Sequence, residues 1–156
     1  MRKRIVAKPT GAIDQRDDWL DLEQLATVEV TSEDADAPIE NALVPGASSG
    51  WRAAQPGEQV VRLLFDQPQR VDRVHLRFLV PDEQRTQQFT LRCSDDGGAT
   101  YRELVRQQWN FSPTGATDEV EDFQVNLERV DALELAIVPA IGGGRSRATL
   151  EELRVG

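Results

Sequence analysis

Apolar residues recur at every second position through most of this chain, and no other feature constrains its fold as strongly. Val61, Leu63 and Phe65 alternate with Val60, Arg62 and Leu64, and Val74, Leu76, Phe78 and Val80 with Arg73, His75, Arg77 and Leu79. The same rhythm runs through Phe89, Leu91 and Cys93, through Phe123, Val125 and Leu127, and through Leu133, Leu135 and Ile137. Successive side chains of an extended chain point to opposite faces, so each run carries one apolar face and one mixed or polar face. That is the requirement of an antiparallel sheet covered on one side. Segment 27–31 reads as an earlier strand and 149–155 as the last. Asp66-Gln67-Pro68 and Pro81-Asp82-Glu83 read as breaks between strands, and Asp95-Asp96-Gly97-Gly98 as a hairpin turn with positive-φ positions. Short strands punctuated in this way predict an all-β sandwich of jelly-roll type.

Helix is scarce. Pro38-Ile39-Glu40-Asn41-Ala42-Leu43 predicts a single turn, with the proline near its start, and 18–25 is a weakly amphipathic second candidate. With 156 residues the chain buries about 70% of its unfolded surface as one domain, without metal or disulfide. Residues 1–22 read as an extension packed on the sandwich through Ile5, Val6, Ile13, Trp19 and Leu20, and 23–156 as the sandwich itself. The lone Cys93 has no internal partner, which favours a reducing compartment. Arg2-Lys3-Arg4 is followed by Pro9, Gly11, Asp14 and Asp17 rather than an apolar run, so no cleaved signal is expected. Nor does any segment approach the ~20 apolar residues of a membrane helix. The expectation is a soluble, cytoplasmic protein. A net charge of −9 opposes nucleic acid and anionic membrane as partners.

Catalytic signatures are missing: there is no glycine-flanked nucleophile and no histidine-rich metal motif. Asp17-Asp18, Asp95-Asp96 and Glu151-Glu152 are adjacent pairs. Neighbours on a strand face opposite ways, so such pairs make poor acid–base partners. The expectation is a binding protein and not an enzyme. The segment Gln107-Gln108-Trp109-Asn110-Phe111 has the chemistry of a sugar site, an aromatic face beside amides. It reads equally as Trp109 and Phe111, two apart, closing the core. Arg73, His75 and Arg77 with Gln88, Thr90 and Arg92 read either as a cationic patch or as an ordinary solvated strand face, and Cys93 points away from it.

Several stretches, taken in order, carry a resemblance. They are Val28-Glu29-Val30-Thr31-Ser32, Ile39-Glu40-Asn41-Ala42-Leu43, Gly50-Trp51-Arg52, the strands at 60–65 and 71–78, Ser94-Asp95-Asp96-Gly97 with Tyr101, and Leu150-Glu151-Glu152-Leu153-Arg154-Val155. In order and spacing, segment 28–155 resembles the discoidin or coagulation-factor C-type domain, a galactose-binding-like β-sandwich. The resemblance implies a non-catalytic module that binds carbohydrate of galactose type through loops at one end, with Arg52, Trp109, Asn110 and Arg145 as ligand contacts and Trp51 as a structural seal. It also implies a calcium ion in the loop after Asn41, with Glu152 as a late ligand. The loop here reads Leu43-Val44-Pro45-Gly46-Ala47-Ser48-Ser49, without the carboxylates that calcium's six to eight oxygens usually include. A metal-free loop closed by hydrogen bonds is therefore the other reading. Trp51-Arg52-Ala53-Ala54-Gln55-Pro56-Gly57-Glu58 is also similar to the N-terminal domain of the X-ray repair cross-complementing scaffold family. That likeness implies a protein partner inside a larger assembly, or binding to DNA ends through Arg73, Arg77 and Arg92.

Overall fold

The computed structural model describes residues 18–47 and 49–156. Among these residues eight strands follow in order: β1 (Ala26–Val30), β2 (Trp51–Pro56), β3 (Gln59–Leu79), β4 (Arg85–Ser94), β5 (Arg102–Phe111), β6 (Asp118–Val138), β7 (Arg147–Leu150) and β8 (Glu152–Val155). Two single helical turns, α1 (Leu22–Leu25) and α2 (Glu40–Leu43), complete the set. α1 is capped by Asp21, whose carboxylate accepts from the Gln24 N–H. The main sheet runs β1-β3-β6-β4-β5, with β8 also on β3, and β2 pairs with β7 separately. Every pairing is antiparallel.

Asp66-Gln67-Pro68, expected as a break, is instead an irregularity inside one long strand. Leu64 pairs with Ala132, and the next partners are Gln69 and Val130, so β3 spends more residues than β6 across the bend. Pro68, which has no N–H to offer a ladder, sits in the bulged stretch. β6 bends in step, joining the expected strands at 123–127 and 133–137, and Asn126 takes a left-handed φ of 49° beside the bend. The first half of β3 therefore lies with β1, and the second half with β8. The bends turn one continuous sheet into two facing layers. Phe89 of β4 stacks on Phe78 of β3 at 5.3 Å and meets Phe123 of β6 at 6.1 Å.

The alternation read from the sequence points as expected. Val61, Leu63, Val74, Leu76, Phe78, Phe89, Leu91, Cys93, Leu133, Leu135 and Ile137 are all buried in one core. Trp51 seals it at 1% exposure and donates its indole N–H to the Ser32 carbonyl at 3.0 Å. At the β4–β5 hairpin, hydroxyl and amide donors from Ser94 and Thr100 hold the Asp96 carboxyl down to about 2. Segment 149–155 departs from expectation: it is two strands in different sheets. Leu150 pairs with Trp51 of β2 and Leu153 with Leu76 of β3, and the Glu151 N–H turns the corner by donating to the Arg77 carbonyl at 2.8 Å.

The cationic patch is not assembled. β4 lies against β5 and β6, not β3, so Arg92 does not flank His75. Arg92 and Arg62 share Glu134 at 3.0 and 2.7 Å. Arg77 binds Asp118 at 2.8 Å, and buried Arg73 binds Asp18 at 2.5 Å beneath the Trp19 ring. Leu20 packs against the core, its N–H donating to the Val155 carbonyl at 2.7 Å, and the Trp19 ring lies over Arg73. Ile5, Val6 and Ile13 lie outside the described residues.

Candidate functional site

Two adjoining clefts open where β3 ends, β4 begins, β5 ends and β7 begins. The first, about 530 Å³, is walled by Arg52, Asp82, Glu83, Arg85, Arg145, Arg147 and Thr149 among others. The second, about 830 Å³, includes Thr86, Asn110, Ser112 and Ile141. Arg85 and Ser146 line both, so they form the partition. Both volumes fall in the roughly 300–1,000 Å³ range of ligand sites.

Local structure explains how the walls are presented. Gly143 and Gly144 take φ of 85° and 106°, conformations that side chains with a Cβ rarely adopt, and so project Arg145 from the loop after β6. That loop is pinned to β4 by the Ile141 N–H donating to the Thr86 carbonyl at 2.9 Å. Arg52 and Thr149 are paired across β2 and β7, which sets them side by side on one wall.

The electrostatics are unusual for an acidic chain. Asp34 accepts from Arg52 at 2.7 Å and stands 3.5 Å from Arg147. The Asp36 backbone N–H, and then Arg52, hold the Asp34 carboxyl below the usual carboxylate range. Glu83 accepts from Arg85 at 3.0 Å and from the Ser146 hydroxyl. The Arg85 side chain is 4% exposed; its Nη1 also donates to the Arg147 carbonyl, while Nε and Nη2 are buried without partners. Burial lowers the Arg85 pKa, with Glu83 acting in the other direction. The Thr149 hydroxyl is likewise buried and unpartnered. Arg145 is exposed and makes no ion pair or hydrogen bond among the described residues. In the second cleft the Thr86 hydroxyl donates to Asn110 Oδ1 at 2.6 Å, leaving the Asn110 amide N–H groups outward.

Of the residues singled out in the sequence, Arg52 and Arg145 meet in the first cleft and Asn110 lines the second. Trp109 does not join them. It pairs with buried Gln87 across β4 and β5, shares the inner face and packs half-buried against the core, its indole N–H enclosed without a partner. Asn110, one residue on, faces the other way. Arg85, Arg147, Ser146 and Thr149 were not singled out. The one signal in the sequence was for Arg147 and Thr149, whose alternate spacing puts both on one face of a strand.

The two residues implied for calcium, Asn41 and Glu152, each have partners within the protein. The Asn41 amide donates to Ser49 Oγ at 3.3 Å and to the Gly50 carbonyl at 3.4 Å, closing the loop by hydrogen bonds. The Glu152 carboxylate is engaged by His75 at 3.0 Å. Glu151 is the glutamate near the loop, its Oε2 lying 2.9 Å from where a Gly50 Cβ would stand. Among the described residues, no group of three or more His, Cys, Asp or Glu is placed to hold a metal.

A second concentration of enclosed polar atoms lies between the layers. Glu119 is 1% exposed with neither carboxyl oxygen hydrogen-bonded, and Gln87, Gln107 and Trp109 of the β4–β5 hairpin also carry unpartnered buried atoms. The neighbouring Val120, by contrast, is 52% exposed. Burial first, then the nearby Glu121 carboxyl, pushes Glu119 up to about 8.

No protein-family model matches the chain, and no curated protein matches it in sequence. Its fold is nevertheless shared by solved structures. CBM32-3 of a family 31 glycoside hydrolase from Clostridium perfringens superposes with a TM-score of 0.65 at 16% identity, over 96% of this chain and 98% of that one. The family 32 CBM of C. perfringens NanJ, in complex with galactose, gives 0.63 at 14% identity over 88% and 96%. The CBM32 of AlyQ, in complex with 4,5-unsaturated mannuronic acid, gives 0.63 at 15% identity over 85% and 95%. The discoidin-like, galactose-binding-like sandwich expected from the sequence is therefore the fold of this chain.

Proposed function

We propose that this chain is a carbohydrate-binding module without catalysis of its own, and that it holds sugar in the paired clefts divided by Arg85 and Ser146. The observation that carries the proposal is the convergence of Arg52, Arg145, Arg147 and Thr149 with Thr86 and Asn110 at one end of the sandwich. Hydroxyls both donate and accept, and these side chains supply both partners without a general acid, a nucleophile or a metal. The fold likeness to sugar-bound modules such as that of NanJ supports the same reading. Hydrogen bonds hold the Asn41 loop closed, so binding is expected to be independent of calcium.

A glycan array probed with the purified protein, in calcium and in chelator, tests this. The expected result is a specific glycan class bound equally in both, and lost in folded Arg147→Ala and Asn110→Ala variants. No glycan bound by the folded protein would overturn the proposal. A stoichiometric protein partner recovered in a pull-down would then favour an interaction module.

A further inference from the structure

We infer, building on the carbohydrate reading above, that the first cleft selects saccharides bearing a carboxylate: uronic-acid units in preference to their neutral counterparts. The argument begins from donor–acceptor balance. A neutral sugar hydroxyl is donor and acceptor at once, and a site built for it offers both in similar number. A guanidinium only donates. The first cleft places Arg52, Arg85, Arg145 and Arg147 around one space, against the carboxylates Asp82 and Glu83 on its wall and Asp34 behind it.

Asp34 and Glu83 do not quench the donors, and Asp82 stands exposed on the wall. Asp34 is shared between Arg52 and Arg147, and its contact with Arg147 is long at 3.5 Å. Glu83 is occupied by Arg85 and by Ser146. Arg85 retains Nε and Nη2 unpartnered, and Arg145 has no partner among the described residues. What the cleft leaves over is guanidinium donors, and a ligand carboxylate, which only accepts, is the group that matches them. It accepts from guanidinium in short, charge-assisted and often bidentate bonds, about twice as strong as neutral ones.

The whole molecule sharpens the choice. A local excess of cation in a chain of net charge −9 does not follow from composition. The same net charge repels densely charged polyanions at long range, so the cleft suits isolated carboxylates rather than a phosphate backbone. The second cleft then receives the next sugar unit. Its Thr86, Asn110 and Ser112 offer donors and acceptors together, and exposed Ile141 offers an apolar surface.

The test is isothermal titration of trigalacturonate, triglucuronate and trimannuronate, each beside its carboxyl-reduced neutral counterpart. At least one uronate is expected to bind about tenfold or more tightly than its counterpart. Arg145→Ala should shrink that preference to within roughly threefold while binding of the neutral form persists. Arg106→Ala, which removes an exposed cation paired with Glu103 on β5, should leave the preference unchanged. Equal or tighter binding of the neutral form in every pair would overturn the inference and leave the carbohydrate reading standing. A preference unmoved by Arg145→Ala and Arg147→Ala would also overturn it, by placing selection elsewhere. Binding of no saccharide in either form would remove the carbohydrate reading and this inference with it.

Discussion

Replacing Glu119 by glutamine should make this protein more stable in mild alkali and leave it nearly unchanged in acid. Glu119 is enclosed between the layers, and neither carboxyl oxygen has a hydrogen-bond partner. Glu121 projects from the same strand face and adds to the shift, but burial is the main cause of the rise from 4.5 to about 8. The sign follows from proton counting. Between those values the folded protein holds a proton that the unfolded chain has released, so stability falls as pH rises through the window and levels off above it. Each pK unit is worth about 1.36 kcal/mol, so the loss approaches roughly 5 kcal/mol above the folded pKa and is about 4 kcal/mol near pH 8. Glutamine has the same shape and no charge to bury. Urea midpoints of the two proteins at several pH values between about 4 and 8 read the difference directly, provided the slopes stay equal. Glu121→Gln should recover a smaller part, because it removes the neighbouring carboxylate but not the burial. Parallel stability curves for the native protein and Glu119→Gln across that range would refute the reasoning, since they would mean that the Glu119 charge is solvated in the folded state.

Three further perturbations follow from the packing. Trp109→Ala should cost about 2 kcal/mol in chemical denaturation, for a half-buried aromatic on the core face, and leave glycan affinity unchanged in the folded protein. Trp51→Phe removes the indole bond to the half-buried Ser32 carbonyl and should cost about 1–3 kcal/mol, read as a lowered thermal midpoint. Gly50→Ala would set a methyl 2.4 Å from the Leu150 carbonyl oxygen and 2.7 Å from the Glu151 Cα. Backbone rather than a flexible side chain must yield there, so a loss of about 1–3 kcal/mol is expected, with faster hydrogen exchange confined to β2 and β7.

How much of this was legible beforehand can be judged strand by strand. The inner faces of β3 and β4 followed directly from alternation, whereas the seal at Trp51 followed from the resemblance to discoidin-type domains. The expected break at Asp66-Gln67-Pro68 failed because turn chemistry and bulge chemistry use the same residues. A proline with no ladder partner is compatible with either. Glu119 shows the opposite kind of miss. Extending the phase of Phe123 and Val125 backwards puts Glu121 and Glu119 inside and Val120 outside. The strand period thus overrode the hydrophobicity of the individual residues.

Alternation and turn residues act between near neighbours, so the sequence by itself determined an all-antiparallel sandwich, the residues that fill its core and the hairpin that ends β4. The clefts depend on residues far apart in the chain, Arg52, Arg85 and Arg145, brought together by bends in β3 and β6 and by the split of the last segment into β7 and β8. Whether Trp109 faced solvent or core was decided the same way, by the partner strand beside it. Local period fixes which side of a strand a residue occupies, but only the pairing of distant strands fixes what lies against that side.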